Sequence, residues 1–63
     1  MADDVPRAQL SSMATVLEEL AQRVTALADR YSGTERDDVA HDLYAVERAL
    51  KEALRRLRKL SAP

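Results

Sequence analysis

The chain has 63 residues, of which 46% are hydrophobic and 33% are charged, and its formal net charge is −1. A chain of this length buries only about 60% of the surface that it exposes when unfolded, so we expect one small domain, residues 1–63, that needs a partner for stability. The absence of cysteine excludes disulfides and thiol chemistry. One glycine and two prolines provide too few turns for an all-β domain, which favours an all-α fold.

The N-terminal segment MADDVPR is acidic, and no apolar stretch of signal-peptide or transmembrane length follows it. We therefore expect a cytoplasmic protein without a membrane partner. Arg outnumbers Lys eight to two, a bias associated with GC-rich bacterial genomes.

Two long helices are predicted around a single break. The residue before Pro6 is biased away from helical backbone angles, whereas Pro6 itself suits the first position of a helix. Gly33 is the only glycine, and a left-handed glycine commonly ends a helix. The first helix is therefore predicted to cover about residues 6–31 and the second about residues 35–60, with a turn at 32–34.

The start of the second helix carries capping signals. Thr34 is predicted to be the N-cap, and with Asp37 it forms an imperfect capping box in which Asp replaces the preferred Glu or Gln. Glu35, Asp37 and Asp38 also place negative charge at the positive end of the helix dipole. These signals agree with a helix that begins directly after the turn.

Large apolar residues repeat at alternating spacings of three and four in both helices. In the first helix they are Leu10, Met13, Leu17, Leu20, Val24, Leu27 and Tyr31, and in the second they are Val39, Leu43, Val46, Leu50, Ala53, Leu57 and Leu60. Such repeats are typical of positions a and d of coiled-coil heptads, with Leu10 and Leu43 at position a. A short turn makes the helices antiparallel, so we predict an all-α antiparallel helical hairpin.

Position e of both helices is mostly small and apolar, with Glu47 as an exception. We expect an isolated hairpin to leave this edge exposed to water. Ordering some fifty residues costs roughly 1.5 kcal/mol each, which a half-buried a/d stripe does not offset. We therefore predict that the hairpin self-associates, most simply as a homodimeric four-helix bundle. The predicted oligomer interface consists of Ala14, Leu17, Ala21, Val24, Ala28, Ala40, Leu43, Glu47, Leu50 and Leu54.

Charge is distributed unevenly along the chain. Residues 1–47 contain ten acidic and four basic residues (−6), and residues 48–63 contain six basic residues and one acidic residue (+5). Four of the basic residues lie at positions f and b, which we expect opposite the a/d stripe: Arg48, Lys51, Arg55 and Arg58. Such a ridge can bind phosphates or an acidic protein surface, although basic residues near a helix C-terminus also complement the helix dipole. At position g, Arg30 and Asp42 are predicted to lie close enough to pair.

Metal-ligand residue types occur together only at Asp37, Asp38, His41 and Asp42. Asp37, Asp38 and His41 lie at positions b, c and f, which point away from the a/d stripe, whereas metal ligands in helical bundles project inward. We therefore expect no metal site. The sequence also lacks a Gly-rich phosphate loop and a nucleophile signature, so we expect no catalytic residue and no cofactor.

Together these patterns predict a non-enzymatic assembly or regulatory module that acts through protein–protein interaction. Its expected partner is a second copy of itself, and another protein is a further option. The alternative is a small regulator that binds nucleic acid or another polyanion through the basic ridge.

Overall fold

The computed structural model describes residues 5–62, in which helix α1 spans Arg7–Tyr31 and helix α2 spans Asp37–Ser61. The helices run antiparallel and pack against each other along their length. Within residues 5–62 there is no β-strand. The prediction of an all-α helical hairpin is therefore confirmed. Association of two hairpins into a four-helix bundle stays a prediction.

The turn between the helices depends on Gly33, whose φ angle is +76°, the left-handed conformation that the sequence predicted. The Gly33 amide donates a hydrogen bond to Asp37 Oδ1 at 2.7 Å. The Thr34 hydroxyl accepts from the Arg36 amide at 3.1 Å and lies 2.6 Å from the Tyr31 carbonyl, to which it donates. Asp37 thus reaches back as in a capping box, but its partner is the glycine and not Thr34.

Helix α2 begins two residues later than predicted, at Asp37. The intervening residues form tight turns, because the Asp37 amide donates to the Thr34 carbonyl at 3.1 Å and the Val39 amide to the Arg36 carbonyl at 2.9 Å. Arg36 occupies the N-cap position without a side-chain cap. The capping role predicted for Thr34 is therefore spread over the turn.

The two helices contact each other through positions a and e, and the most buried residues are the position-e alanines. Ala28 is 0% exposed, Ala40 1% and Ala21 3%. The expectation that an isolated hairpin leaves the e edge exposed is therefore wrong. Alanine side chains let two helices approach closely, and the separation of packed helices depends on the side chains between them. The chain covers this edge with its own second helix.

Contact through positions a and e leaves position d uncovered. Within the two helices, six large apolar side chains are 40–61% exposed. Five of them are at position d, and the sixth, Val16, is at position g. We define the open face as Met13, Val16, Leu20 and Leu27 of α1 with Val46, Ala53 and Leu60 of α2. An apolar stripe therefore follows one side of the hairpin from the turn to the chain ends.

The hairpin is also extended for its mass. Its radius of gyration is 15.0 Å, compared with about 11 Å for a compact chain of this length. Its accessible surface is 5000 Å², whereas a folded monomer of 7.0 kDa exposes about 4,000 Å². The excess, about 1,000 Å², is similar to the roughly 800 Å² that each partner buries in a standard protein–protein interface.

Candidate assembly interface

The side of the hairpin opposite the open face is bridged by polar contacts between the helices. We call it the polar flank, and it comprises Glu18, Thr25 and Asp29 of α1 with Tyr44, Glu47, Lys51 and Arg58 of α2. Near the chain ends, the Arg58 guanidinium donates to Glu18 Oε1 at 2.6 Å. Near the turn, the Tyr44 hydroxyl donates to Asp29 Oδ1. These contacts connect the two helices at both ends.

Glu47 is the central acid of the polar flank. Its side chain is 16% exposed, and Oε2 accepts a hydrogen bond from the Thr25 hydroxyl at 2.5 Å and lies 3.2 Å from Lys51 Nζ. The hydrogen bond from Thr25 lowers the pKa of Glu47, and the hydrogen bond and charge of Lys51 act in the same direction. Glu47 was predicted to lie at the oligomer interface, but its carboxylate is hydrogen-bonded and ion-paired within its own chain.

Tyr44 shows the opposite shift. Its hydrogen bond to Asp29 raises the pKa of the phenol, and partial desolvation and the negative charge of Asp29 also raise it. The neutral hydroxyl is therefore the form that stabilises the contact between the helices. Tyr44 acts as an interhelical donor, whereas position b by itself indicates only a surface residue.

The predicted interface residues fall into two groups. Five are buried inside the hairpin: Ala14, Ala21, Ala28, Ala40 and Leu54. The other five are partly exposed: Leu17, Val24, Leu43, Glu47 and Leu50. The exposed apolar surface lies instead on the open face, whose d-position residues were predicted to lie inside the hairpin. The residues of the open face were recognisable in the sequence from the repeat at position d. That repeat did not show which neighbouring helix covers them.

Charged residues lie along the outer edges of the open face, at position g. The edge of α1 carries Arg23 and Arg30, and the edge of α2 carries Asp42 and Arg56. The predicted pairing of Arg30 with Asp42 is absent from the ion pairs of residues 5–62. Contact through positions a and e turns the two g positions outward to opposite edges, which separates these side chains.

The basic ridge predicted on α2 is largely engaged in ion pairs. Lys51 contacts Glu47 at 3.2 Å, Arg58 contacts Glu18 at 2.6 Å, and Arg55 pairs with Glu52. The expectation that the whole ridge lies opposite the interhelical contact is wrong for position b, because Arg58 reaches α1. Arg48 forms no ion pair with any of the residues that the structure describes. Arg55 lowers the pKa of Glu52 through its hydrogen bond and charge.

His41 lies on the exposed side of α2, with Nε2 3.0 Å from Asp37 Oδ2. Asp37 already accepts the Gly33 amide through its other oxygen. Between residues 5 and 62, no three or more His, Asp or Glu side chains are grouped closely enough to hold a metal ion. In the same segment, neither helix is long and apolar enough to span a lipid bilayer.

Comparison of the chain with protein-family models, with curated proteins and with solved structures gives no match.

Proposed function

We propose that this protein is a non-enzymatic assembly module that acts as a homo-oligomeric helical bundle, with the open face as its interface. The observation that carries the proposal is the apolar stripe of the open face, in which Leu20 and Leu27 are 40% and 41% exposed and Val16 is 61% exposed. An extended apolar stripe on one side of a small protein is typical of a protein–protein interface.

The titratable groups support an interaction role over a catalytic one. Shifted pKa values often mark active sites, but each shift here has a structural cause. The pKa shift of Glu47 comes from its contacts with Thr25 and Lys51, and that of Tyr44 comes from Asp29. The pKa shift of Glu52 comes from basic residues on the same helix. These contacts connect the helices or strengthen one of them. A cytoplasmic location belongs to the same proposal.

Polyanion binding through Arg48, Lys51, Arg55 and Arg58 stays a prediction, and no observation favours it over self-association. Three of these side chains already pair with acids of their own chain. Exposed ion pairs are weak, so a phosphate could still displace them at low salt. A mobility-shift experiment with mixed DNA and RNA at low and high salt tests this alternative.

The mass of the protein in solution tests the proposed function. We expect sedimentation equilibrium to give an oligomer for the unmodified chain. Leu20→Glu places a charge at the centre of the open face, and we expect it to weaken association by about 100-fold or more, because an apolar contact is lost and a charge is desolvated. Helicity should stay unchanged, since Glu is a good helix former and position 20 is exposed. The single hairpin also buries the e-position alanines that the estimate from the sequence left exposed, so it keeps more stabilising contact than that estimate assumed.

Gln22→Glu is the matched control. It adds the same charge two residues away, on the groove that the polar flank borders, so the mass of this variant should equal that of the unmodified protein. An unmodified chain that stays monomeric at high concentration would contradict the proposed function.

A further inference from the structure

We propose that a second copy of this chain docks on the open face with both interhelical turns at the same end of the bundle. In this arrangement α1 of one copy packs across from α2 of the other, and Arg30 pairs with Asp42 of the second copy. The inference rests on the proposed function and adds the partner, its orientation and its register. It follows from which residues lie level with each other along the hairpin.

The hairpin itself defines these levels. Thr25 lies level with Glu47, since the two side chains are joined by a hydrogen bond of 2.5 Å. Arg30 and Asp42 each lie five residues nearer the turn on their own helix. The two side chains are therefore at the same height on opposite outer edges of the open face, and they do not pair within the chain.

The same levels arrange the apolar residues of the open face in three layers. To within one residue, Leu27 is level with Val46, Leu20 with Ala53, and Met13 with Leu60. When the turns lie at the same end, each layer brings a side chain of α1 against its counterpart on α2 of the second copy. Leu20 then packs against Ala53, and such an alternation of large and small side chains fills a core evenly.

The opposite orientation, with the turns at opposite ends, matches these residues less well. If the middle layer is kept at the centre of the bundle, Leu20 lies against Leu20 of the second copy and Ala53 lies against Ala53. The first contact is crowded, and the second leaves a gap. In that register Asp42 is level with a point beyond Ser61, where α2 ends. Arg30 is level with Leu10, so neither charged residue meets a partner of opposite sign.

With the turns at the same end, one register satisfies both the apolar layers and the charges. A two-fold axis generates the Arg30–Asp42 pair twice, once on each flank of the bundle. Arg23 is level with Ala49 of the second copy, so it meets no like charge. Arg56 is level with Val16, which its aliphatic stem can cover.

Charge exchange tests the pairing. Arg30→Glu and Asp42→Arg are each expected to raise the dissociation constant about 10-fold, since each replaces two attractive contacts of the dimer by repulsive ones. The double variant should return to within about threefold of the unmodified protein, because the pair is rebuilt with reversed sign. Arg23→Glu is the control. In the proposed arrangement this edge position faces an alanine of the second copy, so the substitution breaks no ion pair and no second substitution can rebuild one. Circular dichroism confirms that each variant stays helical.

A distance measurement tests the orientation independently. The sequence contains no cysteine, so Glu35→Cys provides a single site for a spin label beside the turn. With the turns at the same end, the two labels lie within about 30 Å of each other across neighbouring helices. With the turns at opposite ends, they lie about 50 Å apart at 1.5 Å per helical residue.

The outcomes separate the two proposals. A dimer with restored affinity in the double variant and a short label distance supports the arrangement. A dimer with a distance near 50 Å, or with no restoration, overturns the arrangement and leaves the proposed function intact. A monomeric unmodified chain overturns both.

Discussion

The two sides of this hairpin follow from one heptad pattern, yet they differ in how they are covered. On the polar flank, side chains such as Thr25, Glu47 and Lys51 bridge the helices and satisfy one another. On the open face, Leu20 and Leu27 stay about two-fifths exposed to solvent. One side connects the two helices of a single chain, and the other is the surface that we propose for association.

Adjacent residues on one helix therefore serve different purposes. Ala21 is 3% exposed and lies inside the hairpin, whereas Leu20 beside it belongs to the open face. A substitution on the inside should change the stability of the single chain, and a substitution on the open face should change the affinity between chains.

Ala21→Glu is expected to unfold the hairpin. The side chain would be forced between two closely packed helices, and a buried charge without a partner costs about 3 kcal/mol or more. Circular dichroism should show a large loss of helicity, which Leu20→Glu does not produce. If Ala21→Glu stays as helical as Leu20→Glu while it becomes monomeric, the e edge is an interface between chains and the comparison fails.

Ala28→Leu tests the close approach of the helices near the turn. Ala28 is fully buried, so the added side-chain volume should lower the free energy of unfolding by about 1–3 kcal/mol. Ala26→Leu, at an exposed position of the same helix, is the control and should change stability little. Urea denaturation measures both. Equal stability of the two variants would show that the helices do not pack through position e.

Acid titration tests the polar flank. Because the pKa of Glu47 is lowered by Thr25 and Lys51, its stabilising contribution is complete above the unfolded value of about 4.5 and is lost as the pH falls through the lower folded value. The unmodified protein should therefore unfold at a higher temperature than Glu47→Gln at pH 7, and this difference should shrink below pH 4.5. Glu19→Gln, which removes an exposed carboxylate, is the control. A difference that is independent of pH would contradict the role of the ionised Glu47.

Tyr44→Phe should have the smallest effect, since it removes one exposed hydrogen bond to Asp29. The pKa of Tyr44 is raised, so its contribution is complete below the unfolded value of 10.0 and is lost as the pH rises through the raised folded value. We expect a melting temperature slightly below that of the unmodified protein at pH 7, with a smaller decrease than for Ala28→Leu. Self-association should stay unchanged, since Tyr44 lies away from the open face.

Several features were predictable from residues that act locally. Pro6 and Gly33 marked the first helix to within one residue, because a fixed φ angle and a left-handed turn are properties of single residues. The start of α2 was less predictable. The hydrogen bonds of Thr34 and Asp37 depend on the backbone conformation of the whole turn. With that conformation the helix begins only at Asp37.

Two long helices, their antiparallel pairing and an apolar surface larger than two helices need were all predictable from the residues alone. The heptad stripe was three positions wide, and a stripe of that width does not specify which two positions meet within a chain. That positions a and e meet while position d stays open is visible only in the packing of the folded helices. Buried alanines such as Ala21 and Ala28 permit a close contact between the helices. Beside this contact, Glu47 and its partners connect the helices across the polar flank.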